Sequence, residues 1–529
     1  METLSGRLLD LHQRRIYPAE ISFSQGRITS VREVDSAPDR VILPGFVDAH
    51  IHIESSMLVP SMFARIAVRH GTVATVSDPH EIANVCGAEG VRWMVADGKR
   101  TPFKFHFGVP SCVPATGFET AGAVLDVSDT EALLDDPDLS YLAEMMNWPG
   151  VLNRDPQVMA KIAAAHQRGK KVDGHAPGLR GDAAHTYIAA GISTDHECMH
   201  LDEALHKLAA GMNIIIREGS AARNFAALHP LFHDSSGMLM FGSDDKHPDD
   251  LLLGHIDRLV VRALSHGYDL FDVLHAACVA PVEHYGMDVG LLRVGDPADF
   301  IVVDSETTFR VLETYIRGEA VYADGKVSWA AEPVSPINRF ASRTIRKEDI
   351  HRQENGPVPV IVAVDGEIMT GRVHADPHAH PDILKLVVVN RYSHEPPAVA
   401  WIRGFGLTDG AIASSVAHDS HNVIAVGSDD DSLLRAINAV MDSGGGISAA
   451  NGTLAEVLAL PVGGLMSDLP GEDVARAYQT LDAMAKQMGA TVAAPYMLLS
   501  FMALLVIPSL KLSDKGLFDA ETFTFIQPD

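Results

Sequence analysis

The sequence has little cysteine and a shortage of positive charge, and each shortage excludes a class of protein. Only four of the 529 residues are cysteine, widely spaced and without a CxxC pair. This argues against a disulfide-stapled secreted scaffold and predicts a reducing, cytoplasmic location. Lys and Arg number 42 against 69 Asp and Glu, a formal net charge of −27. We therefore expect neither nucleic acid nor an anionic membrane surface as a partner.

Long apolar runs are also missing. No uncharged apolar stretch reaches the roughly 18 residues of a membrane span. The N-terminal segment METLSGRLLDLHQRR has no hydrophobic centre of the signal-peptide kind. We therefore predict neither a transmembrane helix nor a signal peptide. Histidine, by contrast, is abundant, with 26 residues, several of them beside acidic residues. This hints at metal chemistry.

The middle of the chain alternates short apolar runs with helical stretches. One helix is predicted to begin at Asp155-Pro156 and to end at Gly169, because these residues favour helix starts and ends. Eight strands alternating with helices over roughly 250 residues predict an α/β fold, a (β/α)8 TIM-type barrel. The predicted strands are 41–53, 71–81, 103–113, 139–145, 170–178, 192–198, 213–221 and 238–245.

The flanks of this region predict two further domains. Residues 1–42 and 288–335 read as short strands with turns, and we expect them to form a small β-sandwich domain around the barrel at 43–287. Residues 345–529 mix strand and helix patterns, which predicts an α+β C-terminal domain.

Polar side chains follow the apolar part of nearly every predicted strand. His50 and His52, in PGFVDAHIHIES, are two residues apart and face the same side of a strand. A surface pair would have the same spacing, and strand ends are also simply where polarity begins. Six strands that each end in a metal-competent side chain favour a site instead, because barrel active sites lie at this end. The other candidates are Glu144, His175, His196 and Asp244.

Imidazoles with carboxylates suit Zn, Fe or Mn. Six ligands are more than one catalytic ion uses, so we predict two metal ions bridged by a carboxylate. Such a pair holds hydroxide near neutral pH.

Several motifs, in order along the chain, resemble the amidohydrolase superfamily and, more narrowly, its adenine deaminase branch. They are PGFVDAHIHIES, VSDPHEIANV, LAEMMNWPGVLN, VDGHAPGLRG, STDHEC, GSDDKHPDDLL, AHDSHNVIAVG and LPVGGLMSD. The resemblance implies hydrolytic deamination of adenine to hypoxanthine and ammonia by a metal-activated hydroxide at a binuclear site. It also implies two divalent ions per chain, Mn or Fe, with Zn as an alternative. Glu144 matches the position where many amidohydrolases carry a carboxylated lysine. The metal ligands carried over are His50, His52, Glu144, His175, His196 and Asp244.

Deamination of an aromatic amine also needs proton transfers. Asp244 can take the proton from the attacking water. A second acid is needed beside the ring, and Glu81 and Glu197 are predicted for it, with His247 as a further candidate. The alternative for Glu197 is a partner that orients His196. His80 ends the second strand and could contact the site directly, act behind it or hold a further metal ion.

Recognition of a small purine base requires polar edge contacts and an apolar slot. We predict Arg180 and the loop residues His418, Asp419 and His421 as substrate contacts, which would make the C-terminal domain a lid over the barrel mouth. The alternative for the loop is a structural turn. We also expect a homo-oligomer.

Two other functions fit parts of the pattern. An amidohydrolase acting on a different aminopurine or on a cyclic amide would use the same metal ligands. A non-catalytic metal-binding or scaffold protein on a barrel frame would need to have lost the water-activating groups, whereas all six ligand positions are present.

Overall fold

The computed structural model describes residues 1–354, 356–452 and 454–526. The chain begins with antiparallel strands β1 to β3 and a fourth strand that runs parallel to β1. Their bounds are β1 Glu2–Asp10, β2 Arg15–Ser24, β3 Arg27–Glu33 and β4 Val41–Pro44.

The middle region follows the predicted alternation of strands and helices. The strands are β5 Phe46–Ile51, β6 Thr72–Ser77, β7 Lys104–Val109, β8 Leu139–Met145, β9 Val172–Gly174, β10 Thr194–Asp195, β11 Asn213–Arg217 and β12 Leu239–Gly242. The helices are α1 Pro60–Ala67, α2 His80–Gly98, α3 Val127–Leu134, α4 Trp148–Leu152, α5 Pro156–Gln167, α6 Gly181–Ala189, α7 Leu201–Ala209, α8 Phe225–Leu228, α9 Pro248–Leu253, α10 Ile256–Ser265, α11 Leu270–Leu274 and α12 Ala280–Tyr285.

Parallel hydrogen-bond ladders join these strands in chain order. In the described residues β5 to β9 form a five-stranded half-barrel sheet, and β10 to β12 form a three-stranded sheet. Each predicted strand range contains an observed strand. The observed strand is shorter where the polar residues at its end take no part in the hydrogen-bond ladder. Residues 80 and 81 begin a helix instead of ending a strand.

The two parallel sheets meet at both ends. The amide of Asp244 donates to the carbonyl of His50 at 2.9 Å, beside an isolated parallel bridge. At the other junction the amide of Ser193 donates to the carbonyl of Val172 at 2.9 Å. The backbones approach so closely there that a Cβ on Gly174 would lie 2.2 Å from the carbonyl oxygen of Thr194. This close approach of the two backbones fixes the positions of the strand ends that carry the polar residues.

The chain then returns to its N-terminal sheet. The returning strands are β13 Phe300–Val303, β14 Val311–Ile316, β15 Glu319–Ala323 and β16 Lys326–Val327. Within the described part, hydrogen bonds join these strands in the order β16-β15-β14-β13-β4-β1-β2-β3, because β4 pairs on both sides, parallel to β1 and antiparallel to β13. The sheet folds over an apolar cluster, in which the Phe23 ring of β2 lies 5.6 Å from the Phe300 ring of β13, and the expected β-sandwich stays a prediction.

The C-terminal region is α+β, as predicted. Its elements are β17 Val358–Val362, β18 Gly371–Ala375, β19 Leu384–Val389, β20 Ala398–Arg403, β21 Ala411–Ser414, β22 Val423–Gly427, α13 Asp430–Asp442, β23 Gly446–Asn451, β24 Leu454–Ala459, α14 Gly471–Gln487, α15 Pro495–Phe501, β25 Leu510–Ser513, β26 Gly516–Asp519 and β27 Thr524–Phe525. A continuous apolar core joins it to the middle region. The amide of Ser467 also donates to the carbonyl of Met57 at 2.8 Å, so this region covers the segment after β5. None of the helices in the described ranges combines the length and apolarity needed to cross a membrane.

Candidate active site

The six predicted metal ligands come together at the carboxyl ends of the parallel strands. Glu144 lies in β8, His50 in β5, and the others directly follow their strands. Their side chains are buried, the most accessible being His175 at 7%. The full set is His50, His52, Glu144, His175, His196 and Asp244.

Glu144 lies between two groups of imidazoles. Its Oε2 is 3.0 Å from Nδ1 of His175 and 3.1 Å from Nε2 of His196. Its Oε1 is 3.5 Å from Nε2 of His52. Oε2 also lies 4.0 Å from Nε2 of His50. The carboxylate therefore presents its two oxygens to different imidazoles, as a bridging ligand would.

Asp244 completes the group on the His50 and His52 side. Nε2 of His50 and Nε2 of His52 lie 3.2 Å apart, and Oδ1 of Asp244 is 3.7 Å and 3.3 Å from them. Asp244 has a left-handed backbone, φ 55°, a conformation that aspartate tolerates better than most residues. Nδ1 of His52 faces the carbonyl of Asp78 at 3.2 Å, which leaves Nε2 to face the cluster.

These donors fit divalent metal ions. The ligating atoms of His50, His196 and Asp244 lie close enough together to hold one ion, and those of Glu144, His175 and His196 also do so. Nitrogen and carboxylate oxygen suit zinc, iron or manganese.

Arg217 is a buried cation that the sequence reasoning missed. It donates to both oxygens of Glu197 at 2.7 Å and also contacts Oδ2 of Asp244. Burial disfavours a charged carboxylate, yet Arg217 and His52 hold the pKa of Asp244 well below its usual range. The sequence does carry one signal for this residue: an arginine follows directly after the strand residues NIII. A charge at the end of a buried strand needs a partner.

A second polar group lies beside this cluster. Oγ of Ser55 lies 2.6 Å from Oδ1 of Asp245 and 3.1 Å from Oε1 of Glu81, and its single proton can be donated to one of them at a time. Nδ1 of His418 is 3.2 Å from the same Glu81 oxygen. Burial raises the pKa of Glu81, and burial followed by the Glu81 charge raises that of Glu54 to about 8. Glu54 is thus largely protonated near neutral pH.

The loop between β21 and β22 supplies three of the predicted substrate contacts. His418 and Asp419 line the cavity over the cluster. Oδ1 of Asp419 is 3.9 Å from Nε2 of His80, whose Nδ1 is 3.2 Å from Oδ2 of Asp78. His421 lies deeper, where its Nδ1 accepts from the amide of Ala417.

An apolar wall closes the cavity on the side of the C-terminal region. The Phe501 ring stacks on the His418 ring, with centroids 5.3 Å apart and 30° between the planes. Ile368 and Leu504 extend this wall. The sequence gives no signal for it, because apolar residues in a mixed region are usually core.

Two predicted residues lie elsewhere. Arg180 precedes α6, with a side chain that is 43% exposed and an ion pair to Asp202 at 2.9 Å. Nδ1 of His247 bonds to the Tyr478 hydroxyl at 2.6 Å. Neither is among the residues that line the cavity.

Several buried polar atoms around the cavity have no hydrogen-bond partner among the described residues. Native proteins rarely leave such atoms unpaired, so their concentration here indicates a ligand with a polar edge. They are Asp78 Oδ1, Glu81 Oε2, His418 Nε2, Asp419 Oδ2 and His421 Nε2.

An imidazole–carboxylate cluster at the carboxyl ends of parallel strands, with a cavity above it, is the arrangement of a metal-dependent hydrolase. The sequence matches the model of the amidohydrolase family over residues 41–326. It matches that of the adenine deaminase C-terminal domain over residues 362–524.

Full-length relatives agree with these matches. An adenine deaminase from Salinibacter ruber is 56% identical over 99% of this chain and 98% of its own. One from Sulfurovum sp. is 53% identical over 99% of each chain. A solved adenosine deaminase from Xanthomonas campestris with bound zinc has a TM-score of 0.46 at 15% identity, over 61% of this chain and 93% of its own. The two family models and the full-length relatives show that the chain belongs to the amidohydrolase family and, within it, to the adenine deaminases.

Proposed function

We propose that this protein hydrolyses adenine to hypoxanthine and ammonia. The observation that carries the proposal is a cavity with two unlike sides, a ligand cluster bridged by Glu144 below and a polar edge with an apolar wall above. The names of its full-length relatives point to the same substrate.

The ligand cluster would hold two divalent ions, Mn or Fe, with Zn as the alternative. His50, His52 and Asp244 would hold one, His175 and His196 the other, and Glu144 would contact both. When bound, such ions lower the pKa of a water molecule to near neutrality.

Asp244 is the group that takes a proton from the attacking water. Its Oδ1 faces the histidine cluster and its Oδ2 is fixed by Arg217. A base must lie within hydrogen-bond reach of the nucleophile, and this anchored carboxylate does not need to reorganise to meet it.

His418 and Glu81 form the second proton donor. Nδ1 of His418 is held by Glu81, while its Nε2 is buried and lacks a partner among the described residues. Burial disfavours the charged ring, but Glu81 and Asp245 hold the pKa of His418 above its usual value. The free Nε2 edge of the charged ring can therefore give its proton to a ring nitrogen of the base, while the Glu81 carboxylate on the Nδ1 side stabilises the charged ring beforehand.

Glu197 acts by positioning. Both of its oxygens accept from Arg217, and Oε1 also lies 3.4 Å from both His175 and His196. This favours the alternative in which Glu197 orients ligands over a role as the ring acid.

Substrate recognition falls to the C-terminal region. The base would lie against Phe501, with its polar edge toward His418 and Asp419 and with His421 supporting the loop from below. Arg180 stays a prediction for which the structure offers no contact.

The wider expectations are proposed together with this function. We propose that the two parallel sheets close into a (β/α)8 barrel over 43–287. We keep 1–42 with 288–335 as the small β domain and 345–529 as the C-terminal domain. We also propose a cytoplasmic homo-oligomer.

The test is ammonia release and the change in ultraviolet absorbance with adenine, using protein loaded with Mn(II) or Fe(II). Asp244→Asn is measured beside the wild type. Turnover that the variant loses supports the proposal. Full metal occupancy without turnover of adenine would contradict it, and a panel of other aminopurines and cyclic amides would then identify the substrate.

A further inference from the structure

Lys511 is a fully buried cation in β25. Its Nζ donates to the carbonyl oxygen of Ile368 at 2.7 Å and to that of Phe501 at 2.9 Å. Burial lowers its pKa to about 7. Buried lysines are usually paired with carboxylates, since an unpaired charge loses its hydration without compensation. A methionine would fill similar space without the free-energy cost of burying a charge. The hydrogen bonds of Lys511 therefore need an explanation other than space filling.

Both carbonyls belong to residues of the apolar cavity wall. Ile368 lies between β17 and β18, and Phe501 is the last residue of α15. They are separated from Lys511 by 143 and 10 positions in the chain. One side chain therefore links two wall segments that are distant in sequence.

The backbone of β25 provides the frame for this link. Thr370 donates through its amide to the carbonyl of Pro508 at 3.0 Å and through its hydroxyl to that of Leu510 at 2.8 Å. At the end of α15 the amide of Leu512 donates to the carbonyl of Met502 at 3.0 Å, and Lys511 donates to that of Phe501, where the last helical carbonyls lack intrahelical partners and favour a cation. Lys511 thus adds the side-chain link that fixes the Phe501 carbonyl beside the strand.

We propose that Lys511 is a positioning residue that holds Phe501 and Ile368 against one face of the bound base. This rests on the proposed function. Because the Phe501 ring also stacks on His418, a shift of Phe501 would change both the width of the slot and the setting of the proton donor.

The experiment compares Lys511→Met with Lys385→Met in the metal-loaded full chain. Lys385 is a matched control: it is 9% exposed, lies in β19 and donates to the carbonyl of Ile350 at 3.2 Å and to Asp430, away from the cavity. We expect Lys511→Met to raise the KM for adenine about tenfold, since a buried hydrogen bond is lost at each wall segment. Its metal content should stay at the wild-type value and its kcat should fall only modestly, through the shifted His418 ring, and Lys385→Met should leave KM unchanged.

A double-mutant cycle separates positioning from general structure. If Lys511 acts through Phe501, Lys511→Met should raise KM much less in a Phe501→Ala background than in the wild type. An unchanged KM in Lys511→Met, or equal effects in both backgrounds, would overturn the inference. If Lys511→Met does not fold, Lys511→Gln carries the test with the same readings. A wild-type protein that does not turn over adenine would instead refute the proposed function, so the two failures are distinguishable.

Discussion

The two sides of the cavity are built differently. The side formed by the middle region consists of ionisable groups on strand ends fixed by parallel ladders, with Arg217 and Glu144 connecting them. The side formed by the C-terminal region is an apolar wall plus one loop, positioned by packing and by carbonyl contacts. Under the proposed function, the difference teaches that the metal ligands come from the middle region, whereas the C-terminal region supplies most of the base recognition together with the proton donor His418. Substitutions on the first side should remove metal and turnover, and those on the second should change affinity.

Glu144→Gln should have the largest effect. An amide cannot serve as a charged bridge between two cations, so kcat for adenine should fall by about a thousandfold or more, together with metal content. Turnover and elemental analysis measure both. Glu203→Gln is the control, because Glu203 is equally buried but bonds to Lys207 and to the amide of Gly178. Retention of both metal ions by Glu144→Gln would contradict the bridging role.

Arg217→Met should come next, as a loss of stability. Removing one partner of a buried ion pair leaves uncompensated charge on Glu197 and Asp244, at a cost of about 3–5 kcal/mol. Arg180→Met, which breaks an exposed pair, should cost less than about 1 kcal/mol. Denaturant unfolding of the metal-free proteins measures the difference. Equal losses would show that the middle region is not held by this buried network.

The low pKa of Lys511, in the C-terminal region, predicts that the free energy of unfolding depends on pH. Its folded pKa, about 7, lies below the unfolded value, so the unfolded chain binds more protons above pH 7. The free energy of unfolding should therefore rise by about 1.4 kcal/mol per pH unit between about pH 7 and 10, relative to Lys511→Met. Unfolding at a series of pH values gives the slope. Parallel curves for the two proteins would show that the lysine does not lose its charge.

Phe501→Ala should have the smallest effect on chemistry. We expect KM to rise about tenfold, since the base loses one apolar face, while metal content is unchanged and kcat falls only modestly. Steady-state kinetics with elemental analysis checks this. Loss of metal from this variant would contradict the assignment of metal binding to one side of the cavity and affinity for the base to the other.

Much of the structure of the middle region can be predicted from local sequence patterns. Period-two spacing put His50 and His52 on one side of a strand, and Asp155 caps α5 through its side chain as predicted. The polar residues at strand ends predicted the ligand cluster, because parallel strands bring their carboxyl ends to one edge. Helix starts were harder, since His80 and Glu81 continue a strand pattern and yet begin α2.

The chain alone thus determined the strand alternation, the ligand types and their order, because each depends on spacing within one element. Tertiary structure decided the contacts between different elements. It placed Arg217 on Glu197 and Asp244, joined both flanks into one sheet through β4, and brought Phe501 and Ile368 to the cavity through Lys511. It also left Arg180 outside, paired with Asp202. These contacts join different elements, with separations of 10 positions for Lys511 and Phe501 and 143 for Lys511 and Ile368, so they depend on packing of the whole chain and no pattern within one element encodes them.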